Sequence, residues 1–408
     1  MWRVRVVDPI QSVHGTLPRA GQPMKILMVI ETGGGGSGRH IIDLVTGLVA
    51  RGHEVHVVHS PLRAEQSFER RLFSIEGATI VSMDIRKSIG FHDFSVVRQL
   101  RRYIRNNGPF DVVHGHSSKG GALGRLASLG SVSARVYTPH GLYTLNPVLS
   151  PLKKSIYGTI ETFLARMASD GIIAVSDREY DHAVMLGFPV HKLFLVGNGV
   201  APRTADELQR TRARIRLRLG IAEQTPVVGF VGRFCTAKAA ERYVELARAI
   251  RDAGSDARFI LLGSGHGADE IDRLISAYHL QDYLTVFPDE SGEEFMPAFD
   301  VFTLTSRYEA MPYVLLEALA AGCPIVATDV GGSRTVIDEG RNGYVVPQQD
   351  DISLMADKLM ILLENRELRK RMSLASLQKA KAFSLDTMVD ATVDVYGAVL
   401  AGGSAITA

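Results

Sequence analysis

The segment at residues 305–322, TSRYEAMPYVLLEALAAG, runs from the end of an apolar strand through a turn into an apolar helix. Glu309 lies in the turn and Glu317 in the helix, where a carboxylate without a polar partner would be costly. Because ligands bind outside the carboxyl ends of parallel strands, both carboxylates are positioned to accept hydrogen bonds from the hydroxyls of one ligand. The spacing also allows a second interpretation, in which Glu309 caps the helix and Glu317 pairs with a buried arginine.

The rest of the chain repeats this alternation of strand and helix. Short runs rich in Val and Ile alternate with segments of helical period, which is typical of parallel strands joined by crossover helices. The sequence therefore predicts an α/β fold with two sheets. The strands of the first sheet are expected at residues 26–30, 54–59, 79–83, 112–114, 135–138 and 171–175, and those of the second at 227–231, 258–262, 284–287, 301–305, 325–328 and 343–346.

The length of 408 residues suits two domains. A turn at Asn198-Gly199 and a charged helical segment at 210–218 separate the two series of strands, so we place the boundary near residue 200. The predicted organisation is a disordered leader at 1–23, an N-terminal domain at 24–200, a C-terminal domain at 201–383, and a C-terminal helix and tail at 384–408 that packs on the N-terminal domain. Because the first core strand begins only after Met24, a translation start at Met24 is a further hypothesis.

The composition is typical of a globular enzyme rather than of a nucleic-acid-binding protein, since the formal net charge is only +2 and 46% of the residues are apolar. The two cysteines, Cys235 and Cys323, are too far apart in sequence to suggest a disulfide framework or a structural zinc site. No run reaches the roughly 20 apolar residues of a membrane span. We therefore expect a cytoplasmic protein, with at most peripheral contact with the inner face of the plasma membrane.

The segment 305–322 resembles the Glu-x7-Glu signature of family 4 of the retaining glycosyltransferases, and its continuation, CPIVATDVGG at 323–332 through Asn342-Gly343, matches the same family. The resemblance implies the GT-B fold, in which two Rossmann-like domains face each other across a cleft. It also implies that the C-terminal domain holds a nucleotide sugar and that the N-terminal domain binds the acceptor.

The resemblance assigns roles to residues of this segment. Glu309 would contact the donor sugar and Glu317 the nucleotide ribose. The backbone at the helix start would bind the diphosphate, as helix N-termini bind anions, through Met311, Pro312 and Tyr313. Pro312 also suits the first turn of the helix.

Two cations follow the first strand of the second series, Arg233 and Lys238. As the sugar leaves, negative charge grows on the terminal phosphate, and fixed cations stabilise that charge more in the transition state than before. The resemblance therefore gives both residues catalytic roles, although the sequence alone also allows ordinary solvated cations. The family commonly has Lys-Gly where this chain has Lys238-Ala239, a departure that affects the loop shape rather than the charge.

Glycines end two strands of the second series. Gly232 follows the first strand, and Gly263-Ser264-Gly265 forms a similar turn after the next one. Glycine lets a backbone approach a ligand closely. We expect Gly232, Gly263 and Gly265 to lie near the nucleotide.

The first half carries its own glycine-rich loop, TGGGGSG at 32–38, between the first strand and an amphipathic helix. Its bare backbone can approach a phosphate at a helix start. The second strand ends in His59-Ser60 rather than in an acid, which disfavours NAD binding. The resemblance makes the loop a wall of the donor diphosphate pocket, with Gly36 and Ser37 as its contacts.

Two further strand ends carry histidines, in DVVHGHSSKGG at 111–121 and YTPHG at 137–141. An imidazole at a strand end can hydrogen-bond a sugar hydroxyl. We therefore take His140 as a catalytic candidate and His116 and Lys119 as acceptor-side candidates, although strand-end histidines can also be merely packed. Together the two motifs resemble a bacterial subset that extends lipid-linked surface polysaccharides.

The predicted function is transfer of a sugar from a nucleoside-diphosphate sugar, with UDP favoured, to a hydroxyl of a glycan or of a polyprenyl-diphosphate-linked glycan. The family implies retention of configuration and a place in exopolysaccharide biosynthesis. No Asp-x-Asp pair occurs, so neither a metal nor another cofactor is expected. The alternatives are a sugar-nucleotide epimerase of the same fold or a non-catalytic subunit that binds glycans or lipids. Nucleic acid is not expected as a partner.

Four arginines share one face of a predicted helix at Arg98, Arg101, Arg102 and Arg105. Such a face can dock on anionic lipid. A basic stripe that merely keeps the helix solvated is the alternative.

Overall fold

The computed structural model describes residues 22–288, 290–349 and 351–402. They form two compact units. The first contains the chain up to Gly199 together with the helix that begins at Leu385, and the second runs from Val200 to Ser384. All but the last two residues of the predicted leader lie outside the described residues.

The first unit is built on seven parallel strands in the order β3-β2-β1-β4-β5-β6-β7. The strands are β1 Lys25–Ile30, β2 Glu54–His59, β3 Ala78–Ser82, β4 Val112–His116, β5 Ala134–Thr138, β6 Gly171–Ala174 and β7 Leu193–Leu195. The helices are α1 Gly35–Ala50, α2 Gln66–Phe73, α3 His92–Asn107, α4 Ser118–Ala127, α5 Pro151–Ala168 and α6 Asp177–Met185, joined at the end of the chain by the helix Leu385–Leu400.

The alternation of side chains along each strand fills two core layers, one on each face of this sheet. Ile26, Met28 and Ile30 of β1 belong to a buried cluster with residues of α1, α2 and the helix Leu385–Leu400. Leu27 and Val29 belong to a second cluster with residues of α3 and α4. Both faces are therefore covered by helices, as a parallel sheet requires.

The second unit has six parallel strands in the order β10-β9-β8-β11-β12-β13. The strands are β8 Val227–Val231, β9 Arg258–Leu262, β10 Leu284–Phe287, β11 Val301–Leu304, β12 Ile325–Thr328 and β13 Gly343–Val346. The helices are α7 Ala205–Arg218, α8 Ala240–Asp252, α9 Ala268–Ala277, α10 Gly292–Phe295, α11 Tyr313–Ala320, α12 Ser333–Val336, α13 Ser353–Glu364 and α14 Arg366–Ala380, and the helix Leu385–Leu400 of the first unit is α15.

The predicted strands are confirmed, with ends that differ by at most two residues. One strand was missed, because β7 has three residues and is too short for its side chains to show a period. Helix α7 begins five residues before the predicted charged segment, at a capping box formed by Thr204 and Glu207.

Helix α15 packs on the first unit beside α1 and the strands β5 and β6. Its Tyr396 hydroxyl lies 2.6 Å from Nδ1 of the buried His114 in β4. Near the start of α15, Asp386 and Asp390 form ion pairs with Arg51, at 2.9 Å and 2.7 Å. The helix therefore completes the core of the first unit, although the whole second unit lies between the two in sequence.

Candidate active site

The strand order of each sheet reverses direction at one point, between β1 and β4 in the first unit and between β8 and β11 in the second. At such a point the connections leave on opposite faces, and a crevice opens outside the carboxyl ends of the two strands. Arg233 and Lys238 follow β8, and Glu309 follows β11. The topology thus brings the predicted cations and the first predicted acid of the second unit to one crevice.

Lys238 and Glu309 form an ion pair in this crevice. Lys238 Nζ lies 2.5 Å from Glu309 Oε1, and their side chains are 19% and 13% exposed. The hydroxyl of Ser306 donates to the same carboxylate oxygen at 2.8 Å. Because each group is held by a partner, both charges have a fixed position before any ligand arrives.

The two loops that carry the pair are joined by further hydrogen bonds. The Thr305 hydroxyl donates to the carbonyl of Ala239 at 2.9 Å, and the backbone N–H of Arg307 donates to the carbonyl of Ala237 at 2.8 Å. Gln348, which follows β13, supports the second of these loops, since its amide donates to the carbonyl of Ser306 at 2.7 Å. The loops after β8 and β11 therefore behave as one structural element.

Ala239 occupies a left-handed conformation, with φ 51° and ψ 50°, directly before α8. This conformation costs a residue with a Cβ about 1–2 kcal/mol and costs glycine little. That difference accounts for the Lys-Gly pair expected at this place. Ala239 adopts this conformation despite its Cβ, and Lys238 directly before it is paired with Glu309.

Arg233 is exposed, and within the described residues its guanidinium has no hydrogen-bond or ion-pair partner. It therefore differs from Lys238, whose ammonium is already paired. An exposed guanidinium at the end of β8 is free to form two hydrogen bonds with a phosphate.

The predicted glycines pack backbone against backbone. Gly263 has φ 141° and Gly265 has φ 151°, a region that side chains rarely adopt. A Cβ on Gly263 would overlap the carbonyl of Gly232, and one on Gly265 would lie 2.6 Å from the carbonyl oxygen of Phe234. The turn after β9 is therefore pressed against the turn after β8, beside Arg233.

Helix α11 begins at Tyr313, so Pro312 is the residue just before the helix and not, as expected, part of its first turn. Its ψ of 117° is extended, because the chain still has to turn into the helix there. Met311, Pro312 and Tyr313 are all buried, and Glu317 is partly buried one turn further on. The residue before α11 is a proline, which has no side chain able to cap the helix. Among the described residues the Glu309 carboxylate instead bonds to Lys238 and Ser306, so it is not the cap that the alternative interpretation required.

In the first unit, Gly36 and Ser37 lie in the first turn of α1, which follows β1. Gly36 is exposed, no side chain caps the helix, and the Ser37 hydroxyl donates to the Gly34 carbonyl at 3.3 Å. Backbone N–H groups in the first turn of an uncapped helix attract anions. This arrangement suits a phosphate, and the contact of Gly36 and Ser37 with one stays a prediction.

The two predicted histidines lie together. Nδ1 of His116, the last residue of β4, is 3.1 Å from Nε2 of His140, which follows β5. His40 of α1 joins them, with its ring centre 4.6 Å from that of His140. Burial lowers the pKa of His40 to about 4 and holds the pKa values of His116 and His140 well below their usual range. All three imidazoles are therefore neutral near pH 7.

The loop that carries His140 is held by the buried carboxylate of Glu179. His140 has a positive φ of 55°, which is strained for a residue with a side chain. Glu179 accepts hydrogen bonds from the backbone N–H groups of Gly141 at 2.6 Å and Leu142 at 3.0 Å. Burial raises the pKa of Glu179, and these N–H groups oppose the rise.

Lys119 does not lie with the histidines as a free cation. Its ammonium is 2.7 Å from Asp93 Oδ1 and donates to the carbonyls of Arg86 at 2.7 Å and Ser88 at 2.6 Å. His92 Nε2 lies 3.4 Å from the same nitrogen, so the three donors of the ammonium are fully used. Lys119 therefore fastens the loop before α3 to the start of α4, and its acceptor-side role stays a prediction.

Three residues of these crevices were absent from the sequence analysis: His40, Glu179 and Glu31. Glu31 follows β1, is buried, and accepts a hydrogen bond from the backbone N–H of Gly120 at 3.0 Å. The position of Glu31 directly after a strand was a signal that could have singled it out. His40 and Glu179 gave no such signal, because both lie inside helices.

The four arginines on the basic face of α3 are exposed as expected, and one of them, Arg101, also bonds within the first unit. Arg101 donates to the carbonyls of Leu126 at 2.9 Å and Ala127 at 3.3 Å at the end of α4. Among the described helices, none combines the length and the apolar character that crossing a membrane demands.

Residues 34–204 match the family described as Glycosyltransferase Family 4, and residues 211–378 match Glycosyl transferases group 1. The chain is 31% identical over 322 residues to the alpha-D-kanosaminyltransferase of Streptomyces kanamyceticus, over 74% of this chain and 80% of that protein. It is 25% identical over 294 residues to the UDP-Gal:alpha-D-GlcNAc-diphosphoundecaprenol alpha-1,3-galactosyltransferase of Escherichia coli, over 70% of this chain and 75% of that protein.

Solved structures share the fold. The Anabaena protein HepE, crystallised with UDP and glucose, has a TM-score of 0.76 and 19% sequence identity, over 91% of this chain and 98% of that one. One conclusion follows from the two Rossmann-like units, the two family matches and the sequence identity to a named glycosyltransferase. The chain belongs to the glycosyltransferases that combine a family 4 domain with a group 1 domain, and it is an enzyme of the GT-B fold.

Proposed function

We propose that this enzyme transfers a sugar from a UDP-sugar to a hydroxyl of a glycan or of a glycan linked to a polyprenyl diphosphate, in the synthesis of a surface polysaccharide. The observation that carries the proposal is the Lys238–Glu309 pair beside Arg233 at the point where the second sheet reverses its strand order. The Escherichia coli relative is named for UDP-Gal and a lipid-linked acceptor, and the Anabaena protein was crystallised with UDP and glucose. Both support a uridine donor.

In this proposal the second unit binds and activates the donor. Arg233 and Lys238 bind the diphosphate, Glu309 accepts a hydrogen bond from a sugar hydroxyl, and Glu317 binds the ribose. When the bond between the anomeric carbon and the phosphate oxygen breaks, the two cations stabilise the charge that appears on the phosphate. Because these cations neutralise the charge on the departing diphosphate, the transfer needs no metal ion.

The acceptor hydroxyl attacks from the face that the phosphate leaves, and its proton passes to the leaving phosphate oxygen. This route retains the anomeric configuration and needs no protein base. His140 hydrogen-bonds an acceptor hydroxyl, and His116, which is buried beside it, supports this contact from 3.1 Å. Burial lowers both pKa values and keeps both rings neutral, so that beyond the bond between them the pair has one N–H donor and one lone pair.

The test is an assay with UDP-sugars and a polyprenyl-diphosphate-linked glycan. We expect free UDP, a product heavier by one sugar, a retained anomeric centre by NMR, and full activity in EDTA. A product of unchanged mass would instead indicate an epimerase, and binding without turnover would indicate a non-catalytic subunit. Loss of activity in EDTA that manganese restores would contradict the metal-independent mechanism.

The donor base is tested by binding alone. A thermal-shift series with UDP, GDP and ADP should show the largest shift with UDP, because a ligand at 100 times its Kd stabilises a protein by about 2.7 kcal/mol. A larger shift with GDP would replace the uridine assignment and leave the transferase proposal intact.

We also propose peripheral contact between α3 and anionic lipid. Its arginines are exposed, and so are Ile89 and Phe91 just before the helix and Phe94 in its first turn. Apolar side chains next to a basic face are the usual combination at membrane surfaces. Flotation with anionic liposomes should fall when Arg98, Arg101, Arg102 and Arg105 are all changed to Gln, and equal flotation of the variant and the wild type would reject the proposal.

A further inference from the structure

We infer that His40, His116 and His140 form a binding site for a divalent transition-metal cation such as zinc. One ring nitrogen from each histidine lies within 4.8 Å of the other two. The three residues come from α1, the end of β4 and the loop after β5, so the fold of the first unit holds them in place. The inference concerns binding and does not depend on the proposed transferase mechanism.

The spacing is close to that of a filled site. Zinc–nitrogen bonds of 2.0–2.1 Å in a tetrahedral arrangement place the nitrogens about 3.3 Å apart. His116 Nδ1 and His140 Nε2 are already 3.1 Å apart. A rotation of the His40 ring that moves its nitrogen by about 1.5 Å is enough to complete the triangle.

The surrounding hydrogen bonds select which histidines act as ligands. His40 Nδ1 lies 3.2 Å from the amide oxygen of Asn198, which accepts the Nδ1 proton and leaves the Nε2 lone pair for a metal. His114 is adjacent, yet both of its nitrogens are engaged, with Tyr396 at 2.6 Å and Thr138 at 2.8 Å. His114 is therefore a structural residue and not a fourth ligand.

The donor set defines the class of cation. Neutral imidazoles suit zinc, copper and nickel, whereas magnesium, calcium and manganese prefer carboxylate and carbonyl oxygens. His140 is partly exposed, which gives the cation a route from solvent. Three protein ligands leave a fourth position open for water or another ligand.

Metal binding would have a consequence for catalysis, and this consequence alone depends on the proposed roles of His140 and His116. A zinc ion bound to both rings would replace the hydrogen bond between them and occupy ring nitrogens that the acceptor contact needs. Zinc should therefore inhibit an enzyme that EDTA leaves fully active.

The experiment uses the full chain without a histidine tag, freed of metal with EDTA. Zinc is titrated calorimetrically, cobalt is titrated with its visible absorption as a reporter of tetrahedral coordination, and magnesium serves as a comparison. The variants are His40→Gln and His140→Gln, with His191→Gln as the control, because His191 is an exposed histidine of the same unit. Circular dichroism verifies that each variant is folded.

We expect one zinc per chain, tetrahedral cobalt absorption, no magnesium binding, and an affinity at least about 100-fold lower in both ligand variants but unchanged in His191→Gln. The inference is overturned by the absence of zinc binding to the wild type, or by equal zinc affinity in the wild type and in His40→Gln and His140→Gln. His116→Gln is a supplementary variant, since its burial makes it the one most at risk of misfolding. Because calorimetry needs no substrate, failure of the metal site and failure of the transferase proposal are distinguishable.

Discussion

Lys238 Nζ lies 2.5 Å from Glu309 Oε1, although the two residues are 71 positions apart in the chain. The contact exists because β8 and β11 are neighbours in the sheet, so the loops at their carboxyl ends meet. The Ser306 hydroxyl donates a hydrogen bond to the same oxygen, which further fixes the carboxylate. The pair provides the first and most direct test of the proposed donor site.

Lys238→Met and Glu309→Gln should each lower kcat by about 100- to 1,000-fold, the range found when one electrostatic contact to a transition state is removed. The Lys238→Met and Glu309→Gln double variant should be little worse than either single one, because the two groups act as a unit. Steady-state kinetics measures this. The control pair is Lys370 and Glu367, which are exposed and 2.8 Å apart; substitutions there should leave kcat unchanged, and a normal kcat in Lys238→Met would contradict the assigned role.

Arg233→Met should abolish most of the activity while leaving the free energy of unfolding within about 0.5 kcal/mol of wild type, as is usual for an exposed residue without partners. The physical reason is that Arg233 has its partner only when a phosphate is bound. Arg258 offers a matched control, since it is exposed at the opposite, amino end of a neighbouring strand. Arg258→Met should retain both activity and stability, and equal activity in the two variants would rule out the phosphate contact.

Gly263→Ala should destabilise the second unit by several kcal/mol more than Gly254→Ala. Both glycines have positive φ, but a Cβ at Gly254 meets open space, whereas one at Gly263 overlaps the Gly232 backbone carbonyl. Gly254→Ala should therefore cost only the local strain of about 1–2 kcal/mol. Urea unfolding of both variants measures the difference, and similar losses would show that the two turns do not pack as described.

The first unit should lose stability as the pH falls below about 6.5, where unfolded histidines begin to bind protons. The pKa of His40 is lowered to about 4, and those of His114, His116 and His140 are also far below the usual value, so the folded state binds fewer protons in this range. Each histidine that stays neutral contributes a loss of about 1.4 kcal/mol per pH unit. Glu179 opposes this loss. Because its pKa is raised in the folded state, the folded protein takes up a proton there at a higher pH than the unfolded chain does.

Urea unfolding in EDTA at pH 7.5 and 5.5 is the measurement for this pH dependence. His40→Gln should show a shallower dependence than the wild type, because one titrating group is gone. His191→Gln, which removes an exposed histidine, should keep the wild-type dependence. Stability that is equal or higher at pH 5.5 in the wild type would contradict the buried neutral cluster.

Local patterns were enough to find most of the strands and the residues at their ends. Apolar runs such as 227–231 and 301–304 report burial along a strand, and the first polar residues after them mark the ligand-binding edge of a parallel sheet. Arg233, Glu309 and His140 were located in this way, whereas the roles of Arg233, Lys238 and Glu309 came from the family resemblance. The three-residue strand β7 was not, because a period needs more residues than that to be visible.

The sequence by itself determined that the chain is α/β, where all but one of the described strands lie, and which strand ends carry charged, imidazole and glycine groups. Only the tertiary structure decided the partners: Glu309 with Lys238, Lys119 with Asp93, and His40 with His116 and His140. The physical reason is that the periodicity of apolar residues shows on which face of its own strand or helix each residue lies. Which residues then meet each other depends on strand order and helix packing, and these are set by the burial of the whole core.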